Sequence, residues 1–122
     1  MADTMRELNE SETVYINVEE GLKRVMHNKA LYVKLLRKLK TDTHFTDLIT
    51  ALQAQDYENA QTVTHAIKGM AANLSLTELF TRALQLERYL KNRTIYDNSL
   101  EMITRCYEKT LISIDEVLEQ YE

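Results

Sequence analysis

The sequence predicts an all-α fold: an up-and-down four-helix bundle with a short additional N-terminal helix. The chain of 122 residues contains no proline and only two glycines, which disfavours an all-β fold because tight turns usually need these residues. Apolar residues recur three and four positions apart over most of the chain, as they do along one face of a helix. Amphipathic helices joined by short connections must bury these faces on each other, and a bundle is the simplest way to do so.

The composition is that of one globular domain. Hydrophobic residues make up 44% of the chain and charged residues 28%, which is not the balance of a disordered protein. Residues 1–13 are polar and lack a sustained apolar pattern, so we expect a flexible N-terminal segment followed by a single helical domain over residues 14–122. No signal peptide is recognisable and no stretch approaches about 18 uncharged apolar residues, so we expect a cytoplasmic protein with no membrane contact.

The composition also excludes several kinds of site. Gly21 and Gly69 alone cannot form the glycine-rich phosphate loop of a nucleotide-binding protein, so we expect no ATP-binding site and no intrinsic kinase activity. The single cysteine, Cys106, excludes an intrachain disulfide and a cysteine-based zinc site, and we expect it to be a small packing group. A net charge of −4 presents no overall basic field, so no nucleic-acid partner is expected.

The first helices can be placed from one cap and two apolar stripes. Asn17 followed by Glu20 resembles a capping box and predicts the start of the short additional helix. No strong helix breaker lies between Lys29 and Gln55, but the two stripes point in directions about a third of a turn apart. We therefore expect one long helix with a kink or break near Thr41–Thr43. The stripes consist of Leu31, Leu35, Leu36 and Leu39, and of Phe45, Leu48, Ile49 and Leu52.

Capping boxes predict where the last two helices begin. Ser75 with Glu78 fits a capping box for a helix over about residues 76–92. Thr94 with Asp97 repeats the signature ahead of the last helix. The apolar positions of that helix are Tyr96, Leu100, Ile103, Tyr107, Leu111, Ile114, Leu118 and Tyr121.

The helix that follows Asp56 carries the most informative pattern. Asp56 suits its N-cap, and we expect it to run to about Asn73. Its apolar stripe consists of Ala60, Val63, Ile67, Met70, Ala71 and Leu74. His65 lies about 180° from the centre of this stripe, so we expect it to face water or a partner. Because it points outward, we do not expect it to form a metal site with His27 and His44.

The neighbours of His65 favour phosphoryl chemistry. Gly69 lies one turn further on in mid-helix, where glycine costs about 1 kcal/mol relative to alanine, and Ala72 follows it. These small residues leave the imidazole approachable from the side. Lys68, three positions after His65, can partly offset the charge of a bound phosphoryl group. An exposed nucleophile, a nearby cation and an open surface suit phosphoryl transfer.

The same helix resembles a known family. Residues 65–75, HAIKGMAANLS, are similar to the core motif of histidine-containing phosphotransfer (HPt) domains, commonly His-x-Leu-Lys-Gly-Ser-Ser/Ala-x-Asn-Leu-Gly. The similarity extends to Asn17–Leu39 before this motif and to Leu79–Leu90 after it, including Leu86 and Glu87. It therefore covers most of the chain.

The resemblance implies a four-helix bundle that acts as a phosphorelay carrier. Such a domain accepts and donates a phosphoryl group on histidine, here His65, and exchanges it with the aspartate of a response-regulator receiver domain in two-component signalling. The implied partners are this receiver domain and a sensor or hybrid histidine kinase. The receiver is expected to supply Mg²⁺, and no cofactor or metal is expected on this chain. Lys68 would be the phosphate neighbour. The expected receiver-docking face comprises Gln61, Thr62, Gly69 and Ala72.

Two positions depart from the family motif. Met70 stands where a small serine is frequent, and its place on the apolar stripe suits a packing residue. Ser75 replaces a frequent glycine, which could adopt a positive φ. We expect the serine hydroxyl to act as an N-cap instead, which would alter the angle between two helices.

Other functions remain open on the sequence. A helical adaptor or dimerisation bundle without chemistry would dock through the same exposed face. A third possibility is a nucleic-acid binder that uses a basic stretch. This stretch could equally be a solvated helix face, a contact for an acidic receiver, or a set of partners for the acidic residues at 115–122. It comprises Lys23, Arg24, Lys29, Lys34, Arg37, Lys38 and Lys40.

Overall fold

Helices account for most of the residues that the structure describes. The computed structural model describes residues 13–94 and 98–121. The helices in these ranges are α1 (Val18–Arg24), α2 (Lys29–Lys40), α3 (His44–Gln53), α4 (Tyr57–Leu74), α5 (Thr77–Lys91) and α6 (Ser99–Tyr121). No described residue lies in a strand, and the predicted all-α class is confirmed. Residues 1–12 lie outside the described ranges, so the expected division into a flexible segment and one domain stays a prediction.

The helices form the predicted bundle. The successive helices α2 and α3 make up one of its four elements, and α4, α5 and α6 are the others. Helix α4 packs against α3 and α5, while α6 packs against α5 and α2. The short α1 packs against α2 and α4. The two-residue connection between α4 and α5 makes neighbouring helices run in opposite directions. None of the described helices combines the length and apolarity needed to cross a membrane.

The predicted cap and break in the first half of the chain are both confirmed. The Asn17 side-chain oxygen accepts the backbone N–H of Glu20 at 3.1 Å, at the start of α1. Residues 41–43 separate α2 from α3. The Asp42 carboxylate accepts the backbone N–H of His44 at 2.8 Å and contacts its Nδ1 at 2.7 Å. This carboxylate therefore helps to fix the start of α3.

Tyr32, which lies outside the predicted stripe of α2, faces the core together with Leu36 and Leu39 of that stripe. Leu31, which the stripe included, is exposed, whereas Tyr32 is fully buried. The Tyr32 hydroxyl donates to the carbonyl oxygen of Leu74 at 2.8 Å, and its ring lies directly over Gly21. Burial, with a smaller contribution from Tyr121, raises the pKa of Tyr32 to about 12. The hydroxyl therefore remains a donor that ties α2 to the end of α4.

The predicted capping box at Ser75 is wrong. Ser75 adopts a left-handed conformation, with φ 57° and ψ 42°, directly after α4. The amides of Ser75 and Leu76 donate to the carbonyls of Ala72 and Ala71, which is the Schellman pattern that closes a helix. The Ser75 hydroxyl is buried and has no hydrogen-bond partner among the described residues. Helix closure and the burial of Leu76 thus outweigh the local capping preference.

The capping signature predicted ahead of the last helix, at Thr94 and Asp97, stays a prediction. The amide of Met102 donates to the carbonyl of Asn98, and α6 begins at Ser99. Asp97 and Tyr96 lie outside the described residues. Further along α6, Tyr107 stacks on Phe45 with ring centroids 4.0 Å apart. Cys106 is buried, and burial raises the pKa of its thiol, as suits a packing group.

Candidate functional site

Helix α4 presents His65 on its exposed side. The Asp56 carboxylate accepts the amide of Asn59 at 3.2 Å, so the predicted N-cap is confirmed. The buried residues of α4 are Ala60, Thr64, Ile67, Ala71 and Leu74, and Val63 and Met70 are partly buried. Thr64 was not in the predicted stripe. Its hydroxyl donates to the Ala60 carbonyl at 2.7 Å, which satisfies it inside the core. The His65 side chain is 73% exposed, as the helical geometry predicts.

A buried carboxylate from α5 holds the imidazole. Nδ1 of His65 lies 2.7 Å from Oε2 of Glu87, whose side chain is only 5% exposed. An ionised carboxylate can only accept hydrogen bonds, so this contact favours the tautomer with the proton on Nδ1. Nε2 then carries the free lone pair, on the side of the ring away from Glu87.

The same carboxylate binds two lysines. Nζ of Lys68 donates to Oε1 of Glu87 at 2.7 Å, and Nζ of Lys91 lies 4.0 Å from that oxygen. The hydrogen bond from Lys68 holds the pKa of Glu87 below its usual value, with further lowering by His65 and by the charges of both lysines, against the opposing effect of burial. Glu87 is therefore ionised at neutral pH. The amine of Lys68 lies against this carboxylate.

The predicted docking residues do not all line the same cavity. A cavity of about 430 Å³ beside His65 is lined by Gln61 and Thr62, together with Glu58, Glu87 and Lys91. Gly69 is exposed, and a Cβ atom placed on it would meet nothing within 4 Å. Ala72 is half-buried and lines a separate cavity of about 160 Å³ with residues of α1 and α5. The structure thus brings Gln61 and Thr62 together with His65 and places Ala72 apart.

Glu87 and Lys91 are the site residues that the sequence reasoning missed. Both come from α5, and Glu87 had been noted only as part of the family resemblance. A signal for it existed. Glu87 lies four positions after Ala83 and three before Leu90, which are both buried, so it occupies the apolar face of its helix. A carboxylate on such a face needs partners, and an exposed histidine with a lysine on the neighbouring helix supplies them.

Part of the basic stretch pairs within the bundle. Nζ of Lys40 lies 2.5 Å from a carboxylate oxygen of Asp115 on α6, and Lys23 and Arg24 each pair with a glutamate of α1. Nζ of Lys29 lies 5.9 Å from the ring centroid of Tyr121. Among the roles considered for the basic stretch, pairing with the acidic residues at 115–122 therefore applies to Lys40. Among the described residues, no group of three or more His, Cys, Asp or Glu side chains is placed to hold a metal ion.

Comparison with protein families identifies the chain. The family model described as "Hpt domain" matches residues 38–120, from the end of α2 almost to the end of α6. Comparisons with curated proteins and with solved structures gave no significant match. Hpt domains carry phosphoryl groups on histidine in phosphorelays, and they generally interact with receiver domains and histidine kinases. Because the match covers well over half of the sequence, the chain belongs to the Hpt domain family.

Proposed function

We propose that this protein is a phosphorelay carrier whose phospho-acceptor is His65, and that it exchanges the phosphoryl group with a receiver-domain aspartate. The observation that supports the proposal is the pairing of an exposed imidazole with a buried carboxylate. Nδ1 of His65 is held 2.7 Å from Glu87, while the rest of the ring is open to solvent.

The pairing suits a direct transfer. The Nε2 lone pair attacks the phosphorus of the aspartyl phosphate, and a nitrogen–phosphorus bond forms as the bond to the aspartate oxygen breaks. The aspartate leaves as a carboxylate, and Nδ1 keeps its proton. The ring gains positive charge as the new bond forms, and the fixed carboxylate of Glu87 stabilises that charge. The reverse step returns the phosphoryl group to a receiver.

Two lysines divide the electrostatic roles in this proposal. Lys91 lines the cavity that opens beside His65, so it can approach a phosphoryl group on Nε2. Lys68, the phosphate neighbour expected from the resemblance, donates to Glu87 and acts on the site through that carboxylate. The Mg²⁺ that the transfer needs is assigned to the receiver.

Labelling tests the assignment of the acceptor. The protein is incubated with a phosphorylated receiver and Mg²⁺, and we expect an acid-labile, base-stable phosphoryl label. His65→Gln should abolish it. The matched control is His27→Gln, because His27 is also exposed but lies in the turn between α1 and α2. A label that persists in His65→Gln would overturn the assignment.

Substitution of Glu87 tests its role as a positioning residue. Glu87→Gln keeps a side-chain oxygen that can accept a hydrogen bond from Nδ1–H but removes the charge. Glu87→Ala removes both the oxygen and the charge. We expect transfer to slow on the order of tenfold in Glu87→Gln and further in Glu87→Ala, since a hydrogen bond to a charged group contributes about 1.5–3 kcal/mol. Nitrogen NMR of His65 should show the Nδ1–H tautomer in the wild type and a mixture in Glu87→Ala. The same His65 tautomer in Glu87→Ala as in the wild type would contradict this role.

Docking is tested at Gly69. The space around this residue is open, so Gly69→Arg should block a receiver without unfolding the bundle, while Gly69→Ala should permit transfer. Transfer by Gly69→Arg at the wild-type rate would contradict docking on this face.

The alternative of an adaptor without chemistry is favoured if His65→Ala leaves partner binding and biological activity unchanged.

A further inference from the structure

A groove runs between α5 and α6. It consists of two cavities of about 320 Å³ and about 300 Å³, and both are lined by Arg82 and Met102. Arg82 lies five positions before Glu87, so it points to a different side of α5 from the carboxylate that holds His65. We call this feature the α5–α6 groove.

The lining of the α5–α6 groove is both apolar and basic. Its apolar part is formed by Leu86, Tyr89, Met102 and Ile103. Leu86 and Ile103 are buried at its base, whereas Met102 is exposed and Tyr89 is half-buried. Its basic part contains three cations, Arg82, Arg105 and Lys109, against one lining carboxylate, Glu78. A second carboxylate, Glu101, lies 3.9 Å from Arg105. In a chain whose net charge is −4, this is a local excess of positive charge. Such a surface is complementary to an acidic segment with an apolar side.

The described chain begins at one end of this groove. Thr13 and Tyr15 line the same cavity as the three cations. Ile16 is buried, and the amide of Asn17 donates to the carbonyl of Ser75 at 2.9 Å. The Thr77 hydroxyl, at the start of α5, donates to the carbonyl of Val14 at 2.9 Å. Because this stretch is fixed there, the chain that precedes Thr13 enters the structure at the groove.

The preceding twelve residues, MADTMRELNESE, have the complementary chemistry. They contain four acidic residues and one arginine. Met1, Met5 and Leu8 recur four and three positions apart, which is the spacing of one face of an amphipathic helix. Twelve residues span about 18 Å as a helix, and the groove follows α5 over roughly 16 Å, from residue 78 to residue 89.

We propose that residues 1–12 bind in the α5–α6 groove. Their carboxylates pair with Arg82, Arg105 and Lys109, and their apolar side chains cover Tyr89 and Met102. This interaction is separate from the phosphoryl chemistry proposed at His65, and it replaces the expectation of a flexible start.

Zero-length cross-linking tests the proposal on the full chain. A carbodiimide joins a carboxylate to an amine only when the two are in contact. We expect mass spectrometry to find Lys109 joined to an acidic residue of 1–12, and 0.5 M salt to reduce the yield because salt screens such pairs. Lys34, which is exposed on α2 outside the groove, is the control. Absence of the Lys109 product, or an equal yield at Lys34, overturns the proposal.

A mixture of unlabelled and ¹⁵N-labelled protein separates the possible occupants. Products that join residues within one copy support the proposal. Products that join a light copy to a heavy copy show that the groove receives a second chain, and they overturn it.

Methionine methyl NMR gives an independent readout. Glu7→Lys combined with Glu10→Lys should shift the methyl resonance of Met102, which lines the groove. The methyl resonances of Met26 and Met70, which lie outside it, should stay in place. An unchanged Met102 resonance, or equal shifts at all three methionines, contradicts binding in the groove.

Discussion

Nδ1 of His65 lies 2.7 Å from a carboxylate oxygen of Glu87, which follows it by 22 positions in the chain. The second oxygen of the same carboxylate accepts a hydrogen bond from Lys68. One buried side chain of α5 thus joins two residues of α4 through both of its oxygens. A change at Glu87 will therefore alter stability and the state of the imidazole together, and the two effects have to be measured separately.

The contribution of Glu87 to stability should depend on pH. Its pKa in the folded protein is lowered from the ordinary value of 4.5, chiefly by the hydrogen bond from Lys68. A lowered folded-state pKa contributes stability that is present above the unfolded value and is lost as the pH falls through the folded value. Wild type should therefore exceed Glu87→Gln in unfolding free energy at pH 7, and the difference should narrow below about pH 4.5. Urea unfolding of both proteins at a series of pH values measures this difference in unfolding free energy.

Glu101→Gln is the control for the pH series. Glu101 lies on the exposed side of α6 and faces Arg105 at 3.9 Å, with both side chains largely in solvent. Exposed pairs of this kind contribute little to stability. A pH dependence for Glu87→Gln no larger than that of Glu101→Gln would contradict the role given to the buried carboxylate.

The two glycines of the chain should respond in opposite ways to replacement by alanine. A Cβ atom on Gly21 would lie 2.5 Å from Cζ of Tyr32, and this ring is fixed by its bond to Leu74. Overpacking costs about 1–3 kcal/mol, so Gly21→Ala should destabilise the protein.

Gly69→Ala is the matched substitution in open space. Nothing lies within 4 Å of its added Cβ, and alanine is favoured over glycine in a helix by about 1 kcal/mol. Thermal and urea unfolding should show a gain for Gly69→Ala and a loss for Gly21→Ala. Equal effects at the two positions would mean that Tyr32 moves aside.

Ser75→Gly should stabilise the bundle by about 1 kcal/mol, since a non-glycine residue in the left-handed region costs about that amount. The substitution also removes a buried hydroxyl that lacks a partner among the described residues. Ser75→Ala separates the two causes, because it removes the hydroxyl and keeps the unfavourable φ of 57°. We expect a smaller gain for Ser75→Ala, and a loss of stability in Ser75→Gly would count against the left-handed turn.

Burial should decide the cost of shortening an isoleucine. Ile67 is 1% exposed on α4, whereas Ile112 is 59% exposed on α6. Ile67→Ala should lower the unfolding free energy by about 2–5 kcal/mol. Ile112→Ala should stay within about 0.5 kcal/mol of wild type. Similar losses at both positions would show that the exposed face of α6 is covered in solution.

The order of the helices could be predicted because it depends on long apolar patterns and on caps whose residues stay in solvent. Asn17 and Asp56 cap α1 and α4 as predicted. The cap at Ser75 failed because that residue is buried, and burial favours closing α4 over capping α5. On α2, the pattern could not distinguish Leu31 from Tyr32, since only the three-dimensional fit over Gly21 selects the tyrosine.

The exposed position of His65 was predictable from helix geometry alone. Its partner was not, because Glu87 lies on another helix, and the distance between them depends on how α4 and α5 pack. For the same reason the sequence could not show that the amine of Lys68 donates to Glu87, and its role as phosphate neighbour stays a prediction. Lys91 lies four positions after Glu87 on α5, so helical spacing alone indicates that the two can pair. Its position beside His65 depends on how α4 and α5 pack.

Helix α4 is fastened at both of its ends. Asp56 caps the first turn. At the other end, Tyr32 binds the Leu74 carbonyl and Asn17 binds that of Ser75. In the proposed transfer, the acceptor nitrogen of His65 therefore lies on a helix that is held at both ends before a receiver binds. We expect the adjustments that bring donor and acceptor into line to occur in the approaching receiver.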